Sequence, residues 1–165
     1  MQRCLMIFEK ASQNDISDLV ALRIAYLLED YGDIAADRLS LISENLPDYF
    51  HAHLNKDLFV FVCRDERILV GCCFLYVSEK PSNPTFLNGK TGTVLNVYTK
   101  PQFRKQGIAG KLMKQLLAES ETLNLDYVEL QATDAGYHLY KSIGFHDVIS
   151  KYHHMKYIID DRNAS

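Results

Sequence analysis

Residues 94–110 read VLNVYTKPQFRKQGIAG. An apolar, β-forming run ends at Thr99 and turns at Pro101. Two basic residues, Arg104 and Lys105, then lead into Gly107-Ile108-Ala109-Gly110, where little side chain stands in the way. From Ile108 to Ser120 the spacing is helical, with Ile108, Leu112, Leu116 and Leu117 on one face. A strand, a basic small-residue loop and a helix in that order can receive an anion. The first N–H groups of a helix lack intrahelical partners and carry the positive end of its dipole. A large side chain at 107 or 109 would hold a phosphate off that backbone, whereas Arg104 and Lys105 add positive charge beside it. Two other phosphate loops are excluded. GxxxxGK[ST] is absent, and the dinucleotide fingerprint lacks its third glycine and its ribose-binding acid. The pattern R-x-x-G-x-A by itself also fits a tight strand-to-helix turn with surface lysine and arginine.

Outward from this stretch the chain alternates in period. Residues 5–9 (LMIFE) predict a short strand, and Asn14 or Asp15 can cap a helix over 16–29 that Gly32 breaks. A second amphipathic segment runs from about Ala35 to Leu54, with Pro47 inside it predicting a kink or a second start. LFVFVC (58–63) and ILVGCCFLYV (68–77) are strand-like and joined by RDER, a hairpin, and Thr93 to Thr99 makes a third strand of the meander. Between them lies a turn-rich loop with Pro81, Pro84, Asn88 and Gly89. Tyr127 to Leu130 reads as a short buried strand and Asp134 to Ser142 as a helix stopped by Gly144. Val148 to about Ile159 predicts one or two last strands. A meander followed by βαβαβ implies a mixed α+β sheet with helices on both faces.

The 165 residues suit one domain with one well-formed core, and no linker divides 1–165. With 47% apolar and 24% charged residues the chain has the profile of a soluble globular protein. A net charge of −3 argues against a nucleic-acid partner and would suit a cationic substrate. Cys4, Cys63, Cys72 and Cys73 lack metal-ligand spacing. Adjacent Cys72 and Cys73 should face opposite sides of a strand, as small buried hydrophobes in a reducing compartment. His138 and the pair His153-His154 suggest no metal site. The N-terminus is too short and charged for a secretory signal and no stretch approaches a membrane span, so the expected location is cytoplasmic.

Arg104-x-x-Gly107-x-Ala109, preceded by an apolar strand and Pro101, resembles the acetyl-CoA-binding motif of the GNAT superfamily of N-acetyltransferases. Leu139-Tyr140-Lys141-Ser142-Ile143-Gly144-Phe145 is similar to the L-Y-x-x-x-G-F segment that closes the last helix of many members. The element order matches too. The resemblance implies a central, mostly antiparallel twisted sheet with splayed middle strands.

What it implies for chemistry follows residue by residue. The backbone of Val97, Tyr98 and Thr99 would pair with the pantetheine amides, and a bulge in that strand would offer an N–H to the thioester oxygen. Arg104 and the backbone of Lys105, Gln106, Gly107, Ile108, Ala109 and Gly110 would hold the pyrophosphate. Thr133 stands where many members carry an asparagine that reaches the coenzyme. Tyr140 would give a proton or hydrogen bond to the departing thiolate, although a tyrosine there also fits a buried helix face. The stretch TVLNV has no carboxylate to serve as base. A water chain touched by Asn96, or an acid such as Glu29, remains open, and Glu29 with Asp30 also fits a solvated helix end. Tyr26, Tyr31 and the loop from Pro81 to Asn88 are acceptor-pocket candidates. The expected reaction moves acetyl from acetyl-CoA to an amine on a small molecule or peptide, without a metal. A coenzyme A-binding sensor is the alternative, and a homodimer is an open possibility.

Overall fold

The computed structural model describes residues 5–160. Six strands and four helices follow one another as β1 (Ile7–Lys10), α1 (Ile16–Tyr31), α2 (Ala36–His53), β2 (Leu58–Asp65), β3 (Ile68–Glu79), β4 (Lys90–Val94), β5 (Tyr98–Thr99), α3 (Ile108–Thr122), β6 (Val128–Glu129) and α4 (Asp134–Ser142). The sheet order is β1-β2-β3-β4-β6, with β5 also paired to β3. All pairings are antiparallel except β4 with β6.

Both faces of the sheet are covered, which explains why β2 and β3 read as nearly continuous apolar runs. Leu58, Val60, Val62, Cys72 and Phe74 pack with α1 and α2 residues such as Leu19, Leu22 and Phe50. Their neighbours Phe61, Cys63, Cys73 and Leu75 pack on the other face with Ile108, Leu112, Met113 and Leu116 of α3. Cys72 and Cys73 therefore do face opposite sides, as period-two alternation requires. Burial pushes the thiols of Cys63, Cys72 and Cys73 above their ordinary value, so they behave as small hydrophobes.

Three expectations need correction. The strand expected over 93–99 is two strands. β4 pairs with β3 up to Val94 opposite Leu75, whereas β5 pairs Tyr98 with Cys72. Three residues, Leu95 to Val97, thus face only Cys73 and Phe74, which is a β-bulge. Beyond it the chain leaves β6, whose pairing with β4 is limited to Gly92–Val128 and Thr93–Glu129. The middle of the sheet is splayed there. Second, α2 continues through Pro47 as one helix, without the second start that the proline allowed. Phe50, beyond the proline, is fully buried against the sheet, and Leu46, before it, packs on the same core. That packing outweighs the lost helical hydrogen bond. Third, the described tail after Ser142 forms no strand. Its apolar residues, including Val148, Ile149, Met155 and Tyr157, are exposed. SKYHHMK interleaves polar and apolar residues without a clean period of two, so neither face of a strand could be buried. Among the described residues no helix is long and apolar enough to cross a membrane.

Candidate active site

Below the bulge the sheet opens into a cavity of about 520 Å³. Three elements meet there: the last turns of α1, the strand β5 with the loop into α3, and α4.

The loop is shaped by its backbone. Pro101–Phe103 forms a 3-10 turn, Arg104 is extended, and Lys105 and Gly107 take left-handed angles of φ 60° and 78°. Lysine adopts that angle at a cost of roughly 1–2 kcal/mol, and glycine at almost none. A Cβ at Gly107 would meet nothing within 4 Å, so the space in front of the first turn of α3 is open. The same helix end approaches the sheet closely because Gly71 of β3 has no side chain. A Cβ there would lie 3.0 Å from Ile108 Cγ2 and 3.2 Å from the Tyr98 carbonyl oxygen.

The edge of β5 is also exposed to the cavity. Lys100 N–H donates to the Val70 carbonyl at 2.8 Å. Antiparallel alternation then turns the N–H and C=O of Thr99 away from β3. By the same alternation Val97 faces the opening, and both residues line it. The Thr99 carbonyl accepts from Arg104 Nε at 2.9 Å. Arg104 is thus held in place. Its Nη2 donates to Glu29 Oε2 at 2.6 Å, and its guanidinium lies 5.7 Å from the centre of the Tyr98 ring. With the two side chains 40% and 48% exposed, such a pair is worth at most about 1 kcal/mol. A phosphate could therefore displace Glu29 from Arg104.

Tyr140 enters from α4. The Leu-Tyr-x-x-x-Gly-Phe segment is a helix stop with a purpose beyond stopping. Gly144 takes φ 107°, and Phe145 N–H returns to the Tyr140 carbonyl at 3.0 Å. That turn seats the Phe145 ring edge-on to Tyr140, 6.0 Å between centres. The Tyr140 ring also lies against Gly136, where a Cβ would come within 2.7 Å of it. Thr133 caps the same helix, its hydroxyl accepting from Gly136 N–H at 3.3 Å. Burial, then the neighbouring Tyr26 and Cys73, pushes the Tyr140 phenol up to about 12. It is a proton donor at neutral pH.

The α1 wall carries Tyr26, Glu29 and Asp30. Burial, then Asp30, raises the Tyr26 phenol; burial, then Glu29, raises that of Tyr98. Of the residues singled out in the sequence, Gln106, Tyr31 and Asn96 do not line the cavity. The loop after β3 does not line it either. Asn88 N–H donates to Asp126 Oδ2 at 2.9 Å, which pins that loop to the turn before β6. Phe103, Ala135 and Gly136 line the cavity without having been singled out, as does Leu139, named only as part of its motif. For Gly136 the available signal was its place four residues before Tyr140, one helical turn away.

A family model described as an acetyltransferase (GNAT) domain matches residues 56–147. The chain belongs to the GNAT family. It is accordingly an acetyl-CoA-dependent N-acetyltransferase. Among solved structures it is similar to a predicted acetyltransferase from Clostridium acetobutylicum with acetyl-CoA, at 27% identity and a TM-score of 0.81. That alignment covers 92% of this chain and 96% of the other. A GCN5-related N-acetyltransferase from Ralstonia eutropha shares the fold at 24% identity and TM-score 0.77, covering 92% and 99%. Glucosamine-6-phosphate N-acetyltransferase from Arabidopsis thaliana shares it at 17% identity and TM-score 0.63, covering 94% and 99%. No curated protein matches the chain. This GNAT domain has an open α3 N-terminus and an outward β5 edge.

Proposed function

We propose that this GNAT protein works as a single domain and transfers acetyl from acetyl-CoA to a primary amine by direct attack in a ternary complex. The observation that carries the reading is that one cavity joins the α3 N-terminus, the outward edge of β5 and Tyr140.

The residues divide the work. Val97 and Thr99 offer backbone hydrogen bonds along the pantetheine arm, and the amides of Lys105 to Gly110 with Arg104 hold the pyrophosphate. The bulge aims the Val97 N–H at the thioester oxygen, which gains negative charge as the C–N bond forms. One such donor is typically worth about 10² to 10³ in rate. As the C–S bond breaks, Tyr140 hands its proton to the departing sulfur and recovers one from solvent. The amine gives up one proton to water before it attacks and a second once the C–N bond has formed. The acidic end of α1, with Glu29 and Asp30, favours an acceptor that arrives as a protonated amine, on a small molecule or a peptide.

The test is coenzyme release from acetyl-CoA by the purified protein across a broad amine panel, repeated with Tyr140→Phe. We expect at least one amine to be acetylated and the variant to lose about a hundredfold in kcat, with acetyl-CoA affinity unchanged. Binding of acetyl-CoA without turnover on any amine would favour a coenzyme-binding sensor instead.

A further inference from the structure

The bulge between β4 and β5 carries more constraint than a change of register needs. Its central residue, Asn96, stands at φ 77° and is only 3% exposed. Glycine would meet that angle without strain, and asparagine is among the few other residues that visit it routinely. Here, however, the side chain is held from two sides. Arg23 Nη1 on α1 donates to Asn96 Oδ1 at 3.0 Å. Asn96 Nδ2 in turn reaches Cys72 Sγ on β3 at 3.3 Å. Burial pushes the Cys72 thiol up to about 12, so it stays a neutral partner. Cys72 is also the residue that pairs with Tyr98, the first residue of β5. The clasp therefore grips the strand at the pair that decides which backbone groups face the cavity. Arg23 reaches further, its guanidinium 5.5 Å from the centre of the Tyr26 ring on the α1 wall.

We propose that Arg23, Asn96 and Cys72 act as one positioning clasp that holds the Leu95–Val97 bulge in the register presenting the Val97 N–H to the thioester carbonyl. The inference rests on reading this cavity as the acetyl-CoA site. A strand shifted by one residue turns every group to the opposite side, so a bulge that slid by one position would offer the carbonyl no donor. Arg23 and Asn96 lie outside the cavity lining. They act on the reaction through the backbone between them.

The experiment is the infrared carbonyl band of [1-¹³C]acetyl-CoA bound to the wild-type protein and to Arg23→Met, Asn96→Gly and Asn96→Asp. In the wild type the bound band lies at lower frequency than in free acetyl-CoA, because a hydrogen bond polarises the carbonyl. Asn96→Gly keeps the left-handed angle and removes the clasp, and Arg23→Met removes its other half. Both move the band back toward the free position and lower kcat, with the best amine of the panel, by about tenfold or more. The dissociation constant for acetyl-CoA changes little, since the pyrophosphate loop is untouched. Asn96→Asp keeps the acceptor for Arg23 and retains the wild-type band. The double variant Arg23→Met/Asn96→Gly is no worse than either single one.

Variants that bind acetyl-CoA and keep both band and kcat overturn the clasp, as does an additive double variant. Should Arg23→Met fail to fold, Asn96→Gly decides alone. A wild-type band at the free position overturns the clasp but leaves the acetyl-CoA site standing. Failure of the wild type to bind acetyl-CoA overturns that site and the clasp with it.

Discussion

On one side of the cleft, the stretch from Val97 to Gly110 presents backbone groups, along the outward edge of β5 and at the first turn of α3. On the other, the last turns of α1 present the side chains of Tyr26, Glu29 and Asp30. The first wall suits a partner that never changes, because main-chain groups are indifferent to side-chain substitution. The second suits a partner that differs from enzyme to enzyme, because side chains can be exchanged without rebuilding a strand. The family match begins at residue 56 and so includes the first wall and leaves out the second. Arg104 spans both, bonded to Thr99 on its own wall and to Glu29 on the other.

Three substitutions or conditions sharpen or break this contrast. The largest effect is expected at Gly136→Ala. A Cβ there would stand 2.7 Å from the Tyr140 ring, which also packs edge-on with Phe145. The ring must move, and kcat should fall about tenfold or more while acetyl-CoA affinity holds. In a Tyr140→Phe background the same substitution should cost almost nothing further in kcat. Equal losses in both backgrounds would mean that Gly136 serves the helix and not the phenol.

Glu29→Gln should act more weakly and on the other wall. It removes a carboxylate facing the acceptor and frees Arg104, so KM for the amine should rise a few-fold. Acetyl-CoA affinity should rise slightly, by no more than about fivefold given the worth of an exposed ion pair. Steady-state kinetics with the amine varied, and calorimetry with acetyl-CoA, separate the two. A fall in coenzyme affinity would show that the walls are not independent.

The smallest expected effect is on the pH profile. Tyr140 is an acid whose neutral form is favoured by burial, with its pKa raised to about 12. The proton-donating form is therefore fully present below the ordinary tyrosine value of 10.0 and is lost only as pH rises through the raised one. Tyr140 should add no falling limb to kcat between pH 7 and 10. A limb near pH 10 that disappears in Tyr140→Phe would place the phenol in water, out of its buried position.

The same contrast explains what the amino-acid sequence revealed. The phosphate loop was legible because its physics restricts residue type: small residues where an anion must approach, and glycine at the left-handed Gly107. The Leu139 to Phe145 segment was legible for a similar reason, since the stop at Gly144 and the packing of Phe145 both act on Tyr140. That β2 and β3 are strands could be read from their nearly continuous runs of β-forming residues. The bulge was not located, because LNVYT is as apolar and β-forming as an unbroken strand. Only the backbone angle at Asn96 and its partner Arg23, distant in sequence, mark the break. Asn96 was singled out for a water chain at the acceptor side, yet it lies buried beneath the cavity. The strands expected in the tail rested on propensity without a clean period. On the α1 wall, Glu29 and Asp30 look like any solvated helix end until the fold brings Arg104 to them.

The contrast between the walls is tested most directly by hydrogen–deuterium exchange of the protein with and without acetyl-CoA. The account predicts slowed exchange in peptides covering residues 97–110, where backbone N–H groups receive the coenzyme, and little change over residues 26–31, where side chains do the contacting. Slowed exchange confined to residues 26–31, or none over 97–110 at saturating acetyl-CoA, would contradict it.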